Sequence, residues 1–187
     1  DVEGGAAAVH RYLLPLGFIR EEDTVSALPH QLALSRVRRG RNVGYLTDAF
    51  ALDSFIVGVL ELLADSADIK TGSGRLRCMP TAAFDPAILN SALELRRITQ
   101  EQSNSSVVIN NVMIMKVLRQ VKPGIHPEIE MGRYLTQRGF ANVAATLGEV
   151  ARISADGTPY ALIVLQRYID NQGDAWQWSL DTLERAM

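Results

Sequence analysis

The stretch Gln100–Arg119, QEQSNSSVVINNVMIMKVLR, decides how this chain is read. A hydroxyl- and amide-rich turn, QEQSNSS, precedes two strand-like runs, VVIN and VMIMKVLRQV. The Asn110-Asn111 pair between them predicts a tight hairpin, because asparagine tolerates left-handed backbone angles. The second run carries one lysine, Lys116, among apolar residues. Strand alternation puts it on one face with Ile114 and Leu118. A strand lysine can simply snorkel to water, and a Ser/Asn cluster can be an ordinary turn. The order of the neighbouring elements decides between those readings and a joint role.

Downstream, KPGI is a break, and HPEIEMGRYLTQRG predicts a helix with Pro127 near its first turn and Gly139 at its end. VAATLGEVARI and YALIVLQRYI predict two strands around an SADGTP turn, and NQGDAWQWSLDTLERAM leaves the sheet for another helix. Upstream, ALELRRIT predicts a strand, so the second half runs β-β-β-α-β-β. The first half has a different rhythm. YLLPLGFI is a short strand with Pro15 favouring an edge or bulge. QLALSRVRRGRNVGYLTDAF predicts two strands around an RGRN turn. DSFIVGVLELLADSA is apolar nearly all round, with Asp53 as N-cap, and predicts a buried helix packed on those strands. TGSGRLRCMPT reads as a flexible hairpin, since the Lys-Ser/Thr of a phosphate loop is missing and no helix follows. FDPAILNSA, with Pro86 suited to the first turn of a short helix, bridges the halves.

Composition bounds the function. The 187 residues hold one ordinary domain or two small ones, and 47% hydrophobic against 21% charged residues supply a core. A net charge of -2 offers no field for nucleic acid. The basic group Arg36, Arg38, Arg39 and Arg41 admits a phosphate site but reads better as a solvated hairpin tip. The single Cys78 excludes an internal disulfide framework and fits a reducing cytoplasm. His10, His30 and His126 lie too far apart to spell a zinc site. No run reaches transmembrane length, so no membrane partner is expected. The opening DVEGGAAAV has neither a signal-peptide pattern nor an initiator Met, and reads as the start of a fragment or processed chain.

A lysine on the third strand of β-β-β-α-β-β matches the small lobe of a protein-kinase-like phosphotransferase. ATP is a polyanion whose phosphates need fixed donors. Ser103, Asn104, Ser105 and Ser106 are small enough for the backbone of their turn to come close to phosphates. Lys116 would reach the α- and β-phosphates as a compact point charge, held by a glutamate of the following helix. With Met131, Tyr134 and Leu135 as the apolar face of that helix, Glu128 lies about 60° from Met131 and Glu130 about 100° away. That geometry slightly favours Glu128.

Residues 90–187 resemble the maltokinase family, including the maltokinase-like region fused behind bacterial trehalose synthase. The stretches that carry it are EQSNSSVV, IMKVLRQVKPGIHPEIEMGRYLTQRGF and LQRYIDNQGDAWQW. Residues 9–85 resemble part of that family's N-terminal cap through YLLPLGF, ALSRVRRGRNVGYLTDAF and the following helix. The resemblance implies an α+β chain like the aminoglycoside phosphotransferases with an added cap. Residues 1–88 would be a partial cap of antiparallel strands with a packed helix. Residues 89–170 would be the kinase-like small lobe, five antiparallel strands plus one helix, and residues 171–187 the hinge and start of a large lobe. It implies an enzyme that uses ATP and Mg²⁺ to phosphorylate the anomeric hydroxyl of maltose for α-glucan synthesis, with a trehalose synthase domain as a partner in the same polypeptide.

The resemblance also assigns residues. Ser103, Asn104, Ser105 and Ser106 would cover the phosphates, and Lys116 would bind them. The family motif puts the lysine's partner at the second glutamate of PEIE, Glu130. Gln166 to Tyr168 would supply the hinge backbone that pairs with adenine, and Asn171, Gln172 and Gly173 would lead into the large lobe. The chain departs from the family in lacking the opening of the cap, and no His begins a His-x-Asp loop. The expectation is therefore a fragment with no catalytic or metal-binding residue of its own, inactive alone and self-associating through an exposed cleft face. The alternative is a non-catalytic, kinase-like interaction or assembly module of a trehalose synthase polypeptide.

Overall fold

The computed structural model describes residues 2–4, 8–23, 26–98, 104–170 and 175–186. Strands β1 (Val2–Gly4) and β2 (Ala8–Tyr12) pair antiparallel. The run expected as one strand, YLLPLGFI, is split: Leu13–Pro15 is a link, and β3 (Leu16–Arg20) resumes in a different sheet. Proline has no N–H for a ladder, so pairing breaks there. A short helix, α1 (Leu28–Gln31), leads into the expected hairpin of β4 (Ala33–Arg39) and β5 (Asn42–Asp48). Its turn places Gly40 at φ +63°, a left-handed conformation open to glycine without steric cost. β5 lies between β3 and β4.

Helix α2 (Asp53–Ala64) buries Ile56, Val59, Leu60 and Leu63. Two expectations are corrected here. Asp53 is the first helical residue, with Leu52 at the cap position, and its carboxylate accepts from Arg97 at 2.7 Å. The helix packs not on the preceding strands but on a larger sheet built mostly from later residues. Four buried side chains on one helix need a broad apolar layer. β3, with alternate residues exposed, does not supply one.

The larger sheet is antiparallel throughout. Its strands are β6 (Asp68–Thr71), β7 (Gly74–Pro80), β8 (Leu95–Ile98), β9 (Asn104–Ile109), β10 (Met113–Leu118), β12 (Thr146–Ser154) and β13 (Pro159–Arg167). They lie in the order β6-β7-β12-β13-β10-β9-β8. The five strands expected of the second half are joined by the β6–β7 hairpin of the first, because β7 pairs with β12. The sheet therefore runs across residue 88. The short β11 (Gln120–Val121) leaves it and pairs with β2.

One face of this sheet carries Val107, Ile109, Met113, Met115 and Val117 against α2. The other face carries Leu118, Ala161 and Val164 against Ile129 of helix α3 (Pro127–Gln137). α3 ends as its sequence predicts. Gly139 takes φ +68°, its N–H bonds to Thr136 O, and Phe140 N–H bonds to Leu135 O. These two bonds are a Schellman cap. A last helix, α4 (Ala175–Ala186), follows β13. Among the described residues, no helix is long and apolar enough to cross a membrane.

Candidate functional site

Lys116 lies in β10 between two paired neighbours, Ser106 of β9 and Val164 of β13. Its register puts it on the α3 face, as the alternation predicts. The ammonium donates to Glu128 Oε1 at 2.6 Å, with 28% of the lysine and 34% of the glutamate side chain exposed. A charge-assisted bond this short holds the ammonium as a fixed point charge. The other two of its three N–H donors have no hydrogen-bond acceptor among the described residues, so the group can still meet an anion.

The partner is Glu128, and this corrects the assignment of Glu130 drawn from the resemblance. Helical geometry gives the reason. α3 buries Ile129 and Gly132, whereas Met131 and Tyr134, taken from sequence as its inner face, are 55% and 52% exposed. Gly132 is the point of closest approach: a Cβ there would stand 2.3 Å from Thr146 Oγ1 on β12. Glu128 lies about 40° around the helix from Gly132 and so reaches the sheet, while Glu130 lies about 160° away. Glu130 is exposed.

The polar cluster is less of a turn than expected. Ser103 lies outside the described residues, and Asn104, Ser105 and Ser106 are the first residues of β9. The two serines face opposite ways. Ser106, 2% exposed, pairs across from Lys116 on the α3 face. Ser105 pairs with Val117, and its Oγ accepts from Arg119 Nε at 2.9 Å on the α2 side. The Ser105 side chain therefore does not face Lys116.

The expected hinge also differs. Gln166 is a buried residue of β13, paired with Ile114 on one side and Thr146 on the other. The N–H of Arg167 donates to Ala145 O, and that of Tyr168 to Val112 O, both at 2.8 Å. These donors, assigned from the resemblance to adenine, serve the sheet in this structure. The Tyr168 hydroxyl accepts from Arg96 at 3.2 Å. Asn171, Gln172 and Gly173 lie outside the described residues.

Elsewhere, two arginines of the β4–β5 hairpin have partners within the first half of the chain. Arg36 bonds Glu21 at 2.8 Å, and this bond holds the Glu21 carboxyl below its ordinary range. Arg38 Nε donates to Gly40 O. Burial pushes the Cys78 thiol up, as befits a small core residue rather than a nucleophile. Among the described residues, no three His, Cys, Asp or Glu side chains are placed to hold a metal ion. Among the charged pairs that sequence reading missed are Arg133–Glu149 and Arg119–Asp48. Neither has a local signature, since in each pair the partners come from different segments of the fold.

No family model matches the sequence. A glucosamine kinase of Mycolicibacterium smegmatis is 26% identical over 85 residues, covering 46% of this chain and 21% of that protein. A solved glucosamine kinase in complex with glucosamine, ADP and inorganic phosphate matches with a TM-score of 0.54 at 16% identity, covering 94% of this chain and 34% of that one. The chain thus spans about a fifth of the curated relative and about a third of the solved one. The structural likeness is one of fold: antiparallel sheets with few helices, similar to a sugar kinase.

Proposed function

We propose that these residues form the nucleotide-binding small lobe and part of the cap of an ATP-dependent sugar kinase. The observation that carries this reading is the Lys116–Glu128 ion pair. It sits on the third strand of the β-β-β-α-β-β series, and the helix between the third and fourth strands supplies the acid. A phosphate chain lying along the α3 face would meet the ammonium of Lys116, whose charge offsets that of the α- and β-phosphates. Ile114, half-buried on the same face as Lys116, offers aliphatic surface to a purine. The buried Ser106 keeps the strand close to the lysine without filling the cleft.

Lys116 and Glu128 position and neutralise; they do not activate the acceptor. In this reading the acceptor-orienting aspartate and the ligands for Mg²⁺ come from a larger lobe. The greater length of the matched glucosamine kinases supports such a lobe. The acceptor is a sugar hydroxyl. The motif resemblance favours maltose, as in a maltokinase-type enzyme standing alone or fused to trehalose synthase. The relatives' names add glucosamine as the second sugar to assay.

The test is phosphotransfer by the whole polypeptide that carries these residues, with ATP, Mg²⁺ and maltose or glucosamine. Lys116→Ala should lower kcat/KM by about 100-fold, the loss typical of removing one preorganised charge donor. An intact protein that phosphorylates no sugar and binds no nucleotide would overturn the proposal.

A further inference from the structure

Arg119 stands one residue beyond β10, and its guanidinium is shared among three separate segments. Nη2 meets Asp48 Oδ2 at 2.6 Å, at the end of β5. Nε donates to Ser105 Oγ at 2.9 Å, at the start of β9. Nη1 reaches Leu13 O at 3.4 Å, in the link between β2 and β3. The backbone joins the same knot, since Leu13 N–H donates to Arg119 O at 2.8 Å. The guanidinium carbon lies 5.7 Å from the centre of the Phe50 ring, as does that of Arg97, whose Nε donates to Phe50 O. Asp48 is 8% exposed, and its other oxygen accepts from Phe50 N–H at 3.0 Å.

We infer that Arg119 is a positioning residue. It sets where the first residues of β9 stand relative to Lys116, and through Asp48 it couples the first half of the chain to nucleotide affinity. The inference rests on the nucleotide reading above and assigns a regulator to that same site. Ser105 and Ser106 are adjacent on β9 and face opposite ways, so a side chain that holds Ser105 also fixes Ser106 beside Lys116. Arg119 is itself three residues from Lys116, so the clamp ties the two strands whose separation a phosphate chain would sense. Only a planar fork with five donors can span three acceptors in this way; a lysine ammonium cannot. Any shift of β5 against the larger sheet is thereby passed to β9 through two bonds of one half-buried guanidinium, to Asp48 and to Ser105.

The whole polypeptide carrying these residues is the material for the test, with KM for ATP and for the sugar measured separately and MgADP affinity measured by calorimetry. Ser105→Ala, Asp48→Asn and Arg119→Lys should each raise the ATP KM and the MgADP Kd about ten-fold, with the sugar KM unchanged. Ser105→Thr, which keeps the hydroxyl, should behave as the native protein. Asp48→Asn combined with Ser105→Ala should be no worse than the worse single change, because both act through one guanidinium. An unchanged ATP KM in Ser105→Ala, or equal rises in both KM values, overturns the inference. Lys116→Ala, measured alongside, separates the two claims. If it leaves MgADP affinity intact, the nucleotide reading itself falls. If it abolishes affinity while Ser105→Ala does not reduce it, only the role of Arg119 falls.

Discussion

Glu128 and Glu130 stand two residues apart on one helix and therefore about 160° apart around it. Only one can reach a strand lysine, and the structure selects Glu128. Removing the charge from each should separate them: Glu128→Gln lowers phosphotransfer kcat/KM by about 10- to 100-fold, and Glu130→Gln leaves it near native, as steady-state kinetics would show. The correct glutamate was legible in the helical period, although the apolar face used to count from was wrong. Bulk misled there: Met131 and Tyr134 are large and exposed, while the small Gly132 faces the sheet. A second residue-scale consequence concerns Asp156 in the β12–β13 turn. Ser154 Oγ and Thr158 N–H donate to its carboxylate and lower its pKa from 3.8 to about 2. A value lowered by folding means a contribution to stability that is complete above the ordinary carboxylate range and lost as pH falls through about 2. Carboxyl NMR titration should find that midpoint; a value near 3.8 would contradict the hydrogen-bonded turn.

Among the elements, α3 is placed by the contact of Gly132 with Thr146. A methyl group there must displace a buried hydroxyl or lift the helix, so Gly132→Ala should cost about 1–3 kcal/mol of stability in urea unfolding. It should also weaken the Lys116–Glu128 pair, since Glu128 lies one turn away on the same face. Alternation and turn chemistry made most strands readable. The Asn110-Asn111 pair sits at φ 50° and 53°, as the expected hairpin requires. Periodicity could not reveal which elements meet. Nothing local in DSFIVGVLELLADSA says that its buried face lies on strands that follow it, or that β7 will extend a sheet completed many residues later. Such choices depend on which edges and faces remain open once neighbours are in place.

At the scale of the molecule, the seven-stranded sheet separates two jobs. Its α2 face holds most of the apolar core together with the Ser105–Arg119 contact, and its α3 face carries the Lys116–Glu128 pair of the candidate site. The lysine was legible because a charge on a largely apolar strand breaks a pattern. The Arg119 knot was not, because its parts come from residues 13, 48, 105 and 119 and look ordinary one at a time. Met131, Tyr134, Phe140, Trp178 and Leu183 leave apolar surface exposed on α3, α4 and the segment after α3. The 187 residues expressed alone should therefore self-associate in sedimentation and bind MgATP more weakly than micromolar; a monomer with micromolar affinity would contradict this. The central claim is that the Lys116 ammonium is placed for nucleotide phosphates. Calorimetric titration of MgATP into the whole polypeptide and its Lys116→Ala variant tests it most directly. Saturable binding by the native protein, weakened at least ten-fold in the variant, is the result the account predicts; identical isotherms, or no binding by the native protein, would contradict it.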